Sequence, residues 1–241
     1  MSRLPILMYH NVCQSENECN KLTVSVQKLE RQFQYLKENN YKTFHFEELE
    51  KMKSIPQKSI VLTFDDVTEN QLVYAVPLLE KYGLKASFFI PFSYIGKTDL
   101  WNENSEFPAE KIMTIEQLKK LNSDRIELGY HSYQHKKYSS LSTSEIQNDF
   151  IKSEEIIKQN DLKISAALAY PYGNYPKGSN EKVHFKKLLA ENKIKFGLKI
   201  GNRPNRFPFK DNYEIKRIDI KGHDSLMTFR LKLKFGKLKL F

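Results

Sequence analysis

Cysteine is scarce in this chain: Cys13 and Cys19 are the only two among 241 residues. Two cysteines make no disulfide framework, and a zinc site built mainly on thiolates would need more of them. A reducing compartment is therefore the expectation. Long apolar runs are missing as well. None approaches the ~18 residues that span a bilayer. The opening "MSRLPILMYHNVC" turns polar after a short apolar stretch, unlike a secretory signal. A cytoplasmic protein is expected. No Pro/Gly/Ser-rich linker and no internal repeat divides the sequence, so one domain is expected over residues 1–241.

What is present is an ordinary globular composition. Hydrophobic residues make up 40% and charged residues 28%, which argues against disorder over most of the chain. Lys and Arg number 39 against 29 Asp and Glu, for a net charge of +10. Such an excess suits an acidic partner. Most lysines are spread along the chain, however, and no module of basic residues interleaved with aromatics stands out. Nucleic acid is not an expected partner.

Short β-rich runs alternate with helical patterns. "PILMYH", "SIVLTFD", "ASFFIPF", "RIELGYH", "ISAALAY" and "IKFGLKI" read as strands. Between them Val26, Leu29, Phe33 and Leu36 recur at steps of three and four, the mark of one buried helix face. Gly83 is a plausible helix stop. Ser142 and Glu145 form a capping-box pattern ahead of Ile146, Phe150 and Ile157. This alternation predicts an α/β fold on a mainly parallel sheet, either open or closed into a barrel.

In both architectures chemistry gathers where strands end. His10 follows one strand, Asp65 and Asp66 a second, His131 a third, and Tyr170 and Tyr172 a fourth. Four such ends point to one shared site. His131 and His135 are four apart, a spacing that on a helical turn puts both rings on one face. Two imidazoles and one carboxylate leave open positions on a divalent metal, as a catalytic site requires. Of the adjacent aspartates, one would ligate the metal and the other take a proton from water as general base. In "AYPYGNYP", Pro171 and Gly173 set a tight turn whose backbone N–H could serve an oxyanion. His10 and His223 are the candidate general acids. His45 and His184 have no supporting context.

"TFDD", "HSYQH" and "YPYG", in this order, resemble the motifs of the polysaccharide deacetylases, carbohydrate esterases with a NodB-type domain. The resemblance runs roughly from residue 4 to residue 225. It implies a distorted (β/α) barrel that binds a divalent metal, usually zinc, and removes acetyl groups from sugars. Residue by residue, it makes Asp65 the base, Asp66, His131 and His135 the metal ligands, and Tyr172 the residue whose N–H faces the oxyanion. Two positions depart from the pattern. Val67 stands where the first motif usually ends in Gly, and Ala169 where the third usually begins with the Arg that restrains the base. Arg217 in "IKRIDI" is the candidate replacement. "LMYHNV" resembles the branch acting on poly-N-acetylglucosamine, where an early His supplies the acid. That favours His10 over His223, which sits in "DIKGHDS" one residue out of register for the usual C-terminal motif. The expected partner is an N-acetylated carbohydrate.

The C-terminal "FRLKLKFGKLKLF" alternates Leu231, Leu233 and Phe235 with Lys232 and Lys234, then Leu238 and Leu240 with Lys237 and Lys239. It reads as an amphipathic strand or a segment packed on the barrel, or as a peripheral attachment of residues 230–241 to an anionic membrane, where each Lys would contribute ~1 kcal/mol.

Overall fold

The computed structural model describes residues 2–102 and 109–237. In chain order its principal elements are β1 (Ile6–Tyr9), α1 (Val26–Glu38), β2 (Ser59–Asp65), α2 (Val76–Tyr82), β3 (Ala86–Ile90), β4 (Ile126–Tyr130), α3 (Thr143–Gln159), β5 (Ala167–Ala169), α4 (Ser179–Glu191), β6 (Phe196–Ile200), β7 (Ile215–Asp219) and α5 (Leu226–Phe235). The seven strands are parallel and neighbour one another in chain order. β7 pairs with β1 (Ile218 opposite Leu7) and β1 with β2 (Ile6 opposite Val61 through Tyr9 opposite Phe64), which closes the ring. A two-residue strand, Lys42–Thr43, adds to the start of β2 without entering the ring. The fold is thus an α/β barrel, the closed alternative left open by the strand–helix pattern.

The helices begin and end where their chemistry says. Ser25 caps α1, its hydroxyl accepting from Lys28 N, and Leu29, Phe33 and Leu36 are buried beneath it. Ser142 and Glu145 exchange both capping-box hydrogen bonds at the start of α3. Gly83 ends α2 at φ 63°, a left-handed conformation that glycine adopts without a Cβ clash.

Two apolar layers follow from the two faces of each strand. One lies between strands and helices and holds Phe33, Phe64, Phe88 and Phe150. The other includes Ile6, Val61, Phe89, Ala167, Ala169, Leu198 and Ile215, residues of the opposite strand faces. Those faces continue upward through Thr63 and Asp65 on β2 and Arg217 on β7, all buried. The barrel interior is therefore apolar below and charged towards its C-terminal end.

The C-terminal segment differs from an alternating strand. Ser225 caps a helix over Leu226–Phe235, with Phe229, Lys232 and Leu233 buried. Alternation over so short a stretch does not exclude helix, because positions 229, 232 and 233 also share a helical face. Residues 238–241 lie outside the described residues.

Candidate active site

The exits of β1, β2, β4 and β5 bring His10, the two aspartates, His131, His135 and Tyr172 together, and β7 adds Arg217. β2 ends in two consecutive left-handed residues, Asp66 (φ 75°) and Val67 (φ 46°). This turn splits the adjacent carboxylates onto different targets. Left-handed geometry is costly for a β-branched side chain, by roughly 1–3 kcal/mol, and it explains why Gly would suit position 67. The Val67 side chain is fully buried, which offsets part of that cost. The Gln71 amide donates to Asp65 O (2.6 Å) and His10 O (2.9 Å), tying the exits of β1 and β2.

Asp66 Oδ1 lies 3.4 Å from His131 Nε2 and 3.5 Å from His135 Nε2, and the two Nε2 atoms are 3.2 Å apart. All three residues are buried. Asp66 Oδ1 is a buried carboxylate oxygen with no hydrogen-bond partner in the protein, so the donor set fits a cation placed among these atoms. Burial raises the Asp66 carboxyl well above its ordinary pKa, and the charge of Asp65 adds to the effect. Burial likewise pushes His131 down to about 4. It lowers His135 too, helped by the neighbouring His131. Neutral imidazoles are the form that binds metal.

The histidine pair is not on a helical turn. Residues 131–135 form a loop in which Ser132 (φ 65°) and His135 (φ 55°) are left-handed. The Ser132 hydroxyl accepts from His135 N at 2.8 Å and holds the loop closed. His131 Nδ1 lies 2.7 Å from Ala169 O, which sets it as the donor and leaves Nε2 to face Asp66. From α3, the buried Asp149 accepts from Tyr133 N at 2.8 Å and from the Tyr138 hydroxyl at 3.0 Å. Trp101 stacks on the His135 ring (centroids 4.1 Å, interplanar 25°), and the Tyr172 ring lies 4.8 Å from it on a half-exposed side chain.

Asp65 has a different partner. Arg217 grips it with two hydrogen bonds, Nη1 to Oδ1 at 2.5 Å and Nη2 to Oδ2 at 2.8 Å. Burial would raise the Asp65 carboxyl, but Arg217 and then His131 outweigh it and hold it well below the usual range. Asp65 Oδ2 is 3.7 Å from His10 Nε2 and 3.8 Å from His131 Nε2. Burial, helped by the Arg217 charge, lowers His10 despite the charges of Asp65 and Asp219. His223 is exposed on the turn before α5. Among the described residues no hydrogen bond, ion pair or ring contact joins it to this cluster.

At the C-terminal end of a seven-stranded parallel barrel, a buried Asp-His-His cluster that could hold a metal ion thus lies beside a separate, arginine-held aspartate. The chain belongs to the polysaccharide deacetylase family, whose model matches residues 52–189. A poly-beta-1,6-N-acetyl-D-glucosamine N-deacetylase of Staphylococcus epidermidis is 27% identical over 227 residues, covering 89% of this chain and 73% of that protein. YxkH of Bacillus subtilis is 28% identical over 178 residues, 72% of this chain and 58% of its own length. The chain thus spans little more than half of some of its curated relatives. Among solved structures, the Streptococcus pyogenes deacetylase PplD in complex with acetate superimposes with a TM-score of 0.79 at 21% identity, covering 96% of this chain and 98% of that one. IcaB from Ammonifex degensii gives 0.75 at 19% identity, covering 97% of each. At these identities the likeness is one of fold.

Proposed function

We infer that the protein is a metal-dependent deacetylase that removes the acetyl group from an N-acetylated sugar in a glycan or its precursor. The observation that carries this reading is the division of labour between Asp65 and Asp66. One is held by a guanidinium, and the other turns an oxygen without a hydrogen-bond partner, Oδ1, towards two imidazoles.

Asp66, His131 and His135 would hold the metal, and zinc is the ion proposed, because two imidazoles and a carboxylate leave a coordination position open. When bound, the ion supplies a Lewis acid that polarises the amide carbonyl and acidifies water. Asp65 takes the proton from the attacking water through Oδ2, the oxygen that faces the histidines. Arg217 is a positioning residue: its two bonds fix the rotamer of Asp65 and keep it ionised. The Tyr172 N–H, on a left-handed residue at φ 57°, faces the oxyanion of the tetrahedral intermediate. Protonated His10 donates from Nε2 to the leaving amine. Acetate and a free amino sugar result. The staphylococcal relatives support an N-acetylglucosamine polymer as the substrate class.

Acetate release from N-acetylglucosamine oligomers tests this reading. Asp65→Asn should lower kcat by about 10²–10⁴-fold, the span of general-base catalysis, with bound metal unchanged. Asp66→Asn should abolish metal binding. Full turnover by Asp65→Asn would remove it from the base role. An exposed acid such as His223 would be favoured if His223→Ala, and not His10→Ala, suppressed the reaction.

A further inference from the structure

The excess positive charge is not spread evenly over pairs. Lys182, Lys186 and Lys199 all converge on Glu214, and the buried Lys232 pairs with Asp224. Around α5 the pattern changes. No Asp or Glu occurs from residue 225 to 241. Leu226, Arg230 and Lys234 follow one another at steps of four, with Met227 and Leu231 beside them, so one stripe of the helix is basic and apolar. The opposite stripe, with Phe229 and Leu233, is buried. The outward stripe lines a groove with Arg3 and Lys58 on its other wall and Tyr35 and Tyr41 in it. Arg230 lies over the Tyr35 ring at 5.3 Å. Arg3 reaches the Leu233 carbonyl at 3.4 Å. Among the described residues no carboxylate lines the groove, and none of its four cations forms an ion pair. Met227 is 71% exposed and Leu226 39%.

We propose that this outward face of α5, with the groove beside it, docks the protein on an anionic phospholipid membrane. Four unpaired cations supply attraction to lipid phosphates. The exposed Met227 and Leu226, which a soluble polyanion would leave in water, supply the apolar contact that a bilayer interface rewards. Tyrosine is a residue favoured at that boundary. Pro5 and Ser59, at the starts of β1 and β2, line the groove, whereas His10 and Asp65 lie at the opposite ends of those strands. The docked protein therefore turns its catalytic mouth away from the lipid.

Cosedimentation with vesicles tests this. The protein should bind phosphatidylcholine vesicles that contain phosphatidylglycerol and not vesicles of phosphatidylcholine alone, and salt should release it. Each basic side chain near such a surface is worth about five-fold in partition, so the double variant Arg230→Gln, Lys234→Gln should bind about thirty-fold more weakly. Met227→Ser should bind more weakly with the same salt dependence. Both variants should keep the melting temperature and the acetate release from a soluble oligomer. Equal binding to both vesicle types, or undiminished binding by the folded double variant, would overturn the proposal. So would equally tight binding of soluble polyphosphate or duplex DNA with the same dependence on Arg230 and Lys234, because the groove would then be a general polyanion site.

Discussion

Arg217 is among the largest fully buried side chains of the described residues, and its guanidinium lies 5.7 Å from the centre of the Phe89 ring. Breaking a buried pair by removing one partner costs about 3–5 kcal/mol. Arg217→Met should therefore lower stability by that amount in urea unfolding, and Arg217→Lys, which keeps the charge and loses the fork, should lower kcat more than it lowers stability. Asp149 makes a different prediction. Burial raises it to about 6 against the hydrogen bonds it accepts, whereas an unfolded Asp titrates near ~3.9. Its folded-state pKa is the higher one, so its stabilising contribution is full below about pH 4 and is lost as pH rises through 6. The melting temperature of Asp149→Asn relative to the unaltered protein should accordingly improve between pH 4 and pH 7. Residues such as Asp65, Asp66, His131 and His135 were legible because acids and imidazoles at strand exits have few structural reasons to be there. Trp101, Gln71 and Asp149 were not. Each acts through a contact distant in sequence, and a Trp, a Gln or a helical Asp carries no local sign of it.

At the level of elements, the strand-and-cap pattern marked six of the seven ring strands and missed Ile215–Asp219, while the helix stop at Gly83 and the capped start of α3 fell where expected. Two readings needed the third dimension. The His131–His135 spacing suits a helix turn, yet Ser132 closes a left-handed loop instead. The alternation at the C-terminus suits a strand, yet Ser225 starts a helix there. In both cases a single hydroxyl decides the local conformation, and period counting over five to ten residues does not weigh it. Packing against β4 leaves no room for a side chain at its glycine. A Cβ on Gly129 would lie 2.7 Å from the Phe89 ring and 2.9 Å from Ala167 O. Since Ala167 is backbone and cannot yield as a side chain would, Gly129→Ala should destabilise by about 1–3 kcal/mol, measured as a drop in the urea midpoint at constant slope.

For the whole molecule, no helix among the described residues is long and apolar enough to cross a membrane. Ring closure needs no ion, since β1 pairs through its backbone with both β7 and β2, so a chelated sample should keep its far-ultraviolet circular dichroism. Metal binding to the native state should still raise the melting temperature, by the equivalent of about 2.7 kcal/mol at a hundredfold excess over Kd. If chelation unfolded the protein, the barrel would depend on the ion for more than chemistry.

The thinnest seam of that barrel is the one between β4 and β5, where a single residue pair, Tyr130 opposite Leu168, stands in register. β4 carries the histidines, and β2, two strands away, carries Asp66. An ion shared by them would be a strut across β3 and would load the seam from one side. Amide deuteration should report this. With metal bound, the amides of Tyr130 and Leu168 should exchange slowly, near the pace of β1 and β2. With metal removed, they should speed up well before those of β1 and β2, so that the ring opens first beside the loop that carries His131 and His135.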